Sequence, residues 1–175
     1  MTVEIVVPTA DAMRAIGRRL ATLLRAGDLV VLSGSLGAGK TTLAQGIGAG
    51  LDVRGGVTSP TFVIARVHPA LADGPSLVHA DAYRLGGRLE VDDLDLDASI
   101  GDSVTLVEWG EGLVEDLADD RLEIEIARSE GDDIAPVQDL ESDDVRVVRV
   151  TGRGDRWRDV ELAGLAFPGT DAATV

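Results

Sequence analysis

The chain has 175 residues, with 16 Lys plus Arg against 31 Asp plus Glu, a formal net charge of -15 at pH 7 and no cysteine. So acidic a chain lacks the broad basic face on which sequence-independent nucleic-acid binding rests. Without thiols it has no disulfide framework, thiolate metal site or cysteine nucleophile.

The length fits a single domain. Residues 2–7 form a short β-branched run with neither the basic start nor the apolar core of a secretory signal. No apolar run approaches the roughly 20 residues that span a bilayer, so a cytoplasmic protein is expected. After Pro8 and Thr9, apolar residues Met13, Ile16, Leu20, Leu23 and Leu24 recur at helical steps, with arginines off that stripe and Gly27 as a stop. This pattern predicts an amphipathic helix over 10–26. The Leu-Val-Val-Leu run within 28–33 has no polar alternation, which fits a strand buried on both faces of a largely parallel sheet. Residues 34–39 break the pattern with glycines, and 40–49 read as a helix.

Further strands are expected at 61–67, at 77–80 ending on Asp81, and at 104–107 ending on Glu108, with a short helix over 88–96. Arg121 to Ile126 alternates charged with apolar residues and 146–150 does so more loosely, which predicts antiparallel strands with one solvated face. Acidic residues crowd 129–144, the composition of an exposed insertion or mobile loop. The fold class is therefore α/β: one P-loop NTPase-like domain over 1–167, with a mixed parallel and antiparallel sheet flanked by helices. Residues 168–175 read as a disordered tail.

Gly34-Ser35-Leu36-Gly37-Ala38-Gly39-Lys40-Thr41 fits G-x-x-x-x-G-K-[ST] without a mismatch, an accident expected roughly once in a few hundred chains of this length. It also lies where the chemistry needs it, between an apolar strand and a helix, so that backbone N–H groups and the helix N-terminus converge on one phosphate pocket. Gly34, Gly37, Ala38 and Gly39 form the cradle. Lys40 would reach the β- and γ-phosphates, Thr41 would offer its hydroxyl to Mg2+, and Thr42 would touch the α-phosphate. Of the 16 basic residues fifteen are arginine, so the single lysine falls at the one position where this loop requires it.

Such a loop needs a carboxylate at the end of a neighbouring strand for the magnesium shell. Asp81 and Glu108 both qualify, and either could orient the attacking water. Thr58-Ser59-Pro60-Thr61 has the hydroxyls of a segment that senses a γ-phosphate or Mg2+, although an ordinary turn has the same composition. His79 reads as a packing or hydrogen-bonded residue, not a metal ligand, because no second histidine lies at ligand spacing. Trp109 directly follows Glu108 and fits a lid over the strand end as well as a stacking or partner contact.

Together, the Gly34–Thr42 loop, Thr58-Ser59-Pro60-Thr61-Phe62, His79-Ala80-Asp81-Ala82-Tyr83-Arg84 and Glu108-Trp109 resemble the TsaE family of small bacterial ATPases, over about residues 9–128. The resemblance implies ATP and Mg2+ as cofactors, and TsaB and TsaD as partners in threonylcarbamoylation of adenosine 37 in tRNAs reading ANN codons. It also implies Mg2+ association for Thr41 and Glu108, functional importance for Asp81 and Trp109, and nucleotide contacts for Thr9 and for a late arginine placed at Arg146. Lys40, Asp81 and Glu108 then form the catalytic set, with Thr41, Asp81 and Glu108 around the metal. A monomer before assembly is expected, with tRNA handled by the partners. Two other functions share the loop: a small-molecule kinase, whose acceptor lid could draw on Arg146, Arg149, Arg153, Arg156 and Arg158, and a nucleotide-gated assembly factor for which hydrolysis is not essential.

Overall fold

The computed structural model describes residues 1–60, 65–82, 101–110, 112, 114, 118–128, 145–166 and 173–174. In chain order its elements are β1 (Thr2–Val7), α1 (Ala10–Ala21), β2 (Leu29–Gly34), α2 (Lys40–Gly50), β3 (Ala65–His68), β4 (Ser76–Asp81), β5 (Ser103–Glu108), β6 (Arg121–Arg128), β7 (Arg146–Arg153) and β8 (Ala173–Thr174). Short 3₁₀ turns follow β7 at Asp155–Trp157 and Leu162–Leu165.

The strands form one sheet in the order β3-β4-β5-β2-β6-β7-β1-β8. Strands β4, β5, β2 and β6 run parallel, while β3 pairs antiparallel with β4, β7 with β6 and β1, and β8 with β1. The α/β class and mixed sheet read from the sequence are those observed.

Side-chain alternation divides the core. Val30 and Leu32 of β2, Leu77 of β4, Val104 and Leu106 of β5, and the apolar residues of β6, β7 and β1 pack on the face covered by α1 and α2. Leu29, Val31, Val78, Ala80 and Val107 form a second cluster on the opposite face. The central strands are thus apolar on both sides, the physical reason for their uninterrupted hydrophobic runs. Helices α1 and α2 meet almost backbone to backbone: a Cβ on Gly46 would lie 2.3 Å from the Arg14 carbonyl oxygen, and one on Gly17 would lie 2.5 Å from that of Leu43.

Several boundaries differ from those read in the sequence. The first helix ends at Ala21 instead of 26. There the Thr22 hydroxyl donates to the Arg19 carbonyl, Arg156 Nη2 donates to the Leu23 carbonyl, and Asp28 accepts from the Arg25 N–H, so other groups replace the helical ladder. Strand β6 is antiparallel to β7 as its alternation suggests, yet it is parallel to β2. Its alternation reports one covered and one solvated face, and strand direction does not follow from that. Strand β3 begins at Ala65, with 61–64 outside the described residues, and β7 runs on to Arg153. The expected helix at 88–96 and the acidic stretch at 129–144 also lie outside the described residues. Within the segment that reads as a tail, Ala173 and Thr174 pair with Glu4 and Val3. Among the described residues no helix is long and apolar enough to cross a membrane.

Candidate functional site

Strand β2 delivers the chain into the 34–39 loop at the carboxyl edge of the parallel strands. At Gly34, where φ is 138°, a Cβ would stand 2.4 Å from the Ile126 carbonyl oxygen of β6, so only glycine lets the loop leave the sheet here. Gly39, with φ 112°, is the N-cap of α2 and supplies no side-chain cap. The first N–H groups of α2, at the positive end of its dipole, therefore suit an anionic ligand.

The register brings two carboxylates to the same edge. Asp81 is the direct partner of Glu108 across β4 and β5, and Glu108 is level with Leu32 of β2. Because successive residues alternate faces, His79, Asp81 and Glu108 share the face that carries α2. Lys40, Thr41, Thr42, Asp81, Glu108, Ser59 and Trp109 line one cavity of about 220 Å³. Leu36, at the tip of the loop and 87% exposed, forms part of its rim. The motif pattern leaves that position unspecified, so nothing in the sequence singled Leu36 out.

Lys40 is buried, and its Nζ donates to the carbonyls of Gly34 at 2.7 Å and Ser35 at 3.0 Å. Burial pushes the Lys40 ammonium below its ordinary pKa, while the nearby charges of Glu108 and Asp81 act in the opposite direction. The ammonium also lies 3.9 Å from the centroid of the Trp109 ring, a cation–π contact. Trp109 takes a left-handed backbone conformation with φ 59°. For a bulky side chain this costs on the order of 1–3 kcal/mol. Its backbone N–H donates to the Leu32 carbonyl at 2.9 Å, which ties the turn to β2 with the indole over the lysine.

Glu108 links three elements. Its Oε1 accepts from the Thr41 hydroxyl of α2 at 3.3 Å and contacts Nε2 of His79 on β4 at 2.9 Å. His79 is fully buried and Glu108 nearly so. Its expected hydrogen-bonded role is therefore what the structure shows, although its partner, Glu108, could not be read from spacing. No group of three or more His, Cys, Asp or Glu able to hold a metal occurs among the described residues. The hydroxyl–carboxylate pair of Thr41 and Glu108, with Asp81 beside it, instead fits a cation of the magnesium type. Such an ion takes one or two protein oxygens and draws its other ligands from phosphate and water.

A second cavity of about 150 Å³ adjoins the first, and Gly37, Gly39 and Thr42 line both. Its other walls are Val7, Pro8, Thr9, Ala10 and Met13 from the β1–α1 turn, together with Ala38 and Arg146. Thr9 thus lines this second cavity while its hydroxyl caps α1 by accepting the Ala12 N–H at 3.1 Å. Arg146 Nε donates to the Ala38 carbonyl at 3.2 Å.

Other expected residues lie elsewhere. Thr58 accepts a hydrogen bond from Arg66 and is absent from the cavity walls, Pro60 is buried, and Thr61 lies outside the described residues. The five arginines offered as an acceptor lid do not assemble as one. Arg149 pairs with Glu4 and Glu125, Arg153 with Glu123, Arg156 with Asp28 and Arg158 with Asp155; of the five, Arg146 alone lines a phosphate-loop cavity.

Comparison with known proteins identifies relatives of the chain. A family model described as "Threonylcarbamoyl adenosine biosynthesis protein TsaE" matches residues 7–135. The chain is 63% identical over 155 residues to the tRNA threonylcarbamoyladenosine biosynthesis protein TsaE of Streptomyces coelicolor, covering 88% of this chain and 99% of that one. It is 37% identical over 149 residues to the Bacillus subtilis protein of the same name, covering 84% of each. The crystal structure of Bacillus subtilis YdiB superposes with a TM-score of 0.66 at 30% identity, over 90% of this chain and 89% of that one.

Proposed function

The chain belongs to the TsaE family, whose role is in tRNA threonylcarbamoyladenosine biosynthesis, and from that premise we propose that it binds MgATP on the Gly34–Thr42 loop and hydrolyses it. The observation that carries this proposal is the convergence of Lys40, Thr41, Asp81 and Glu108 on one cavity at the N-terminus of α2. The triphosphate follows the loop, with the α-phosphate at Thr42. The nucleoside end extends into the adjoining cavity walled by the β1–α1 turn, Thr9, Met13 and Arg146.

Lys40 exchanges its loop carbonyls for phosphate oxygens, supplying a compact charge where negative charge accumulates. Thr41 and Glu108 would hold the magnesium ion, which when bound would neutralise phosphate charge. Asp81, beside Glu108 at the strand ends, is the second carboxylate available to orient water. Among the described residues no arginine lines the 220 Å³ cavity, although the Arg128 guanidinium stands close to Gly37 in its wall. Slow turnover alone and faster turnover in an assembled complex are part of the proposal, because a charge that completes the site can come from a partner. TsaB and TsaD are those partners in the proposal, with Trp109, Ser59 and the flanking Thr58, Pro60 and Thr61 reporting nucleotide state to them.

The deciding experiment measures phosphate release by wild type and Lys40→Ala, alone and with TsaB and TsaD. A loss of roughly a hundred- to a thousand-fold is expected for the variant, comparable to removing one preorganised transition-state donor. Equal turnover by the two proteins in the complete mixture would sink the proposal. A kinase would consume ATP in proportion to a phosphorylated acceptor, without free phosphate. An assembly factor would retain partner function in a variant that binds ATP but does not hydrolyse it.

A further inference from the structure

An imidazole is an expensive way to fill the position of His79. The ring is fully buried, and among the described residues its Nδ1 has no hydrogen-bond partner. A buried polar atom left unpaired destabilises the fold, and leucine would fill comparable space without that cost. What the imidazole provides among the described residues is a single bond, from Nε2 to Glu108 Oε1 at 2.9 Å.

The target of that bond matters because a glutamate does not aim itself. Its terminal torsion is broad and roughly two-fold, so the plane of a buried carboxylate is set by its donors. Among the described residues Glu108 has two of them, and they come from different elements: the Thr41 hydroxyl on α2 and the His79 ring on β4. Both meet the same oxygen. His79 reaches it diagonally, since Asp81, two residues further along β4 on the same face, is the register partner of Glu108. An ionised carboxylate only accepts, so the bond places the imidazole hydrogen on Nε2.

We propose that His79 is a positioning residue for the metal site: by donating Nε2–H to Glu108 Oε1 it holds that carboxylate beside the Thr41 hydroxyl, in the orientation a nucleotide-bound divalent cation requires. The proposal rests on the MgATP site described above. It gives the histidine a role in the binding of the metal, distinct from contact with nucleotide or metal.

Equilibrium binding of a fluorescent ADP analogue, titrated with MgCl2 and repeated in EDTA, tests it on four proteins. His79→Leu keeps apolar volume and removes the donor. His79→Gln keeps an N–H near the position of Nε2, whereas His79→Asn carries its N–H near that of Nδ1, short of Glu108. For His79→Leu and His79→Asn the Mg2+ concentration that half-maximally strengthens binding should rise roughly ten-fold or more, the usual effect of removing a group that orients a metal ligand. Affinity in EDTA should stay at the wild-type value, and His79→Gln should stay close to wild type throughout.

If His79→Leu does not fold, the glutamine and asparagine proteins alone decide. Wild-type Mg2+ dependence in the leucine and asparagine variants would overturn the inference, and so would an equal loss of affinity with and without Mg2+, which marks a purely structural role. Absence of any Mg2+ effect in wild type would instead overturn the MgATP site itself and the inference with it.

Discussion

Strands β4, β5 and β2 run parallel with apolar residues on both faces, whereas β6, β7 and β1 cover α1 and α2 with one face and carry Glu4, Glu123, Glu125, Arg149 and Arg153 on the other. The two regions contain charge on very different terms. In the first, Glu108, Asp81, Lys40 and His79 are buried at the strand ends and engaged with one another or with the loop. In the second, the ion pairs form a solvated ladder across the sheet. Buried charge demands partners of suitable geometry and is lost if one is removed, whereas exposed pairs are screened and contribute little. The charged residues that tell most about function are therefore those placed where burial makes them expensive.

Asp28 and Arg156 provide the sharpest stability test, because they join the two regions. Asp28 immediately precedes β2, Arg156 follows β7, and the carboxylate receives Nε and Nη2 at 3.1 Å each, largely shielded from solvent. Asp28→Ala leaves a guanidinium with reduced compensation and is expected to destabilise the fold by about 3 kcal/mol in denaturant unfolding. Asp28→Leu combined with Arg156→Met should recover part of that loss. Recovery is incomplete because the Arg25 N–H also loses its acceptor. A cost for Asp28→Ala no larger than that of a surface pair would break the contrast.

A smaller effect is expected from His68 on β3, which is buried and hydrogen-bonded to the backbone of Arg54, with Arg66 and His79 as neighbouring cationic or titratable groups. Burial, assisted by those neighbours, lowers its pKa below the ordinary 6.5. As pH falls through that value the unfolded chain takes up a proton that the folded chain resists. The contribution of His68 to stability is thus complete above the unfolded value and declines below it, towards the folded value. The melting midpoint of His68→Leu should consequently fall less between pH 7.5 and 5.5 than that of wild type. Parallel pH profiles would show that the site-bearing region tolerates charge at this position.

The smallest effect belongs to the ladder. Arg149→Ala removes contacts to Glu4 and Glu125 from an exposed side chain whose pKa is raised chiefly by its hydrogen bond to Glu4. Its melting midpoint should stay near that of wild type at physiological ionic strength, and any difference should shrink as salt is added. A large, salt-insensitive loss would show that the outer sheet face depends on its ion pairs.

Local signals made much of this molecule legible. The phosphate loop, the apolar runs of β2, β4 and β5, and Asp81 and Glu108 at strand ends depend on residue type over short spans, where conformational preference and burial act directly. The end of α1 was less legible because its carbonyls are taken over by Thr22 and by Arg156, the latter 133 residues away from Leu23. The pairing of β6 was legible only on one side: it is antiparallel to β7 as expected, but its parallel run beside β2 could not be read, because alternation encodes exposure of a face and carries no information about which neighbour runs alongside. Leu36 and Met13 became site-lining residues only when the loop and the β1–α1 turn were brought together.

By itself the sequence determined a phosphate-binding loop between a buried strand and a helix, two candidate carboxylates and a mixed α/β sheet, since glycine conformations, hydrophobic periodicity and charge are properties of the local chain. Only the tertiary structure decided that Asp81 and Glu108 are register partners, that Trp109 covers Lys40, and that His79 shares Glu108 with Thr41. Those relations depend on how distant strands align, and strand register is set by the packing of the whole sheet against α1 and α2.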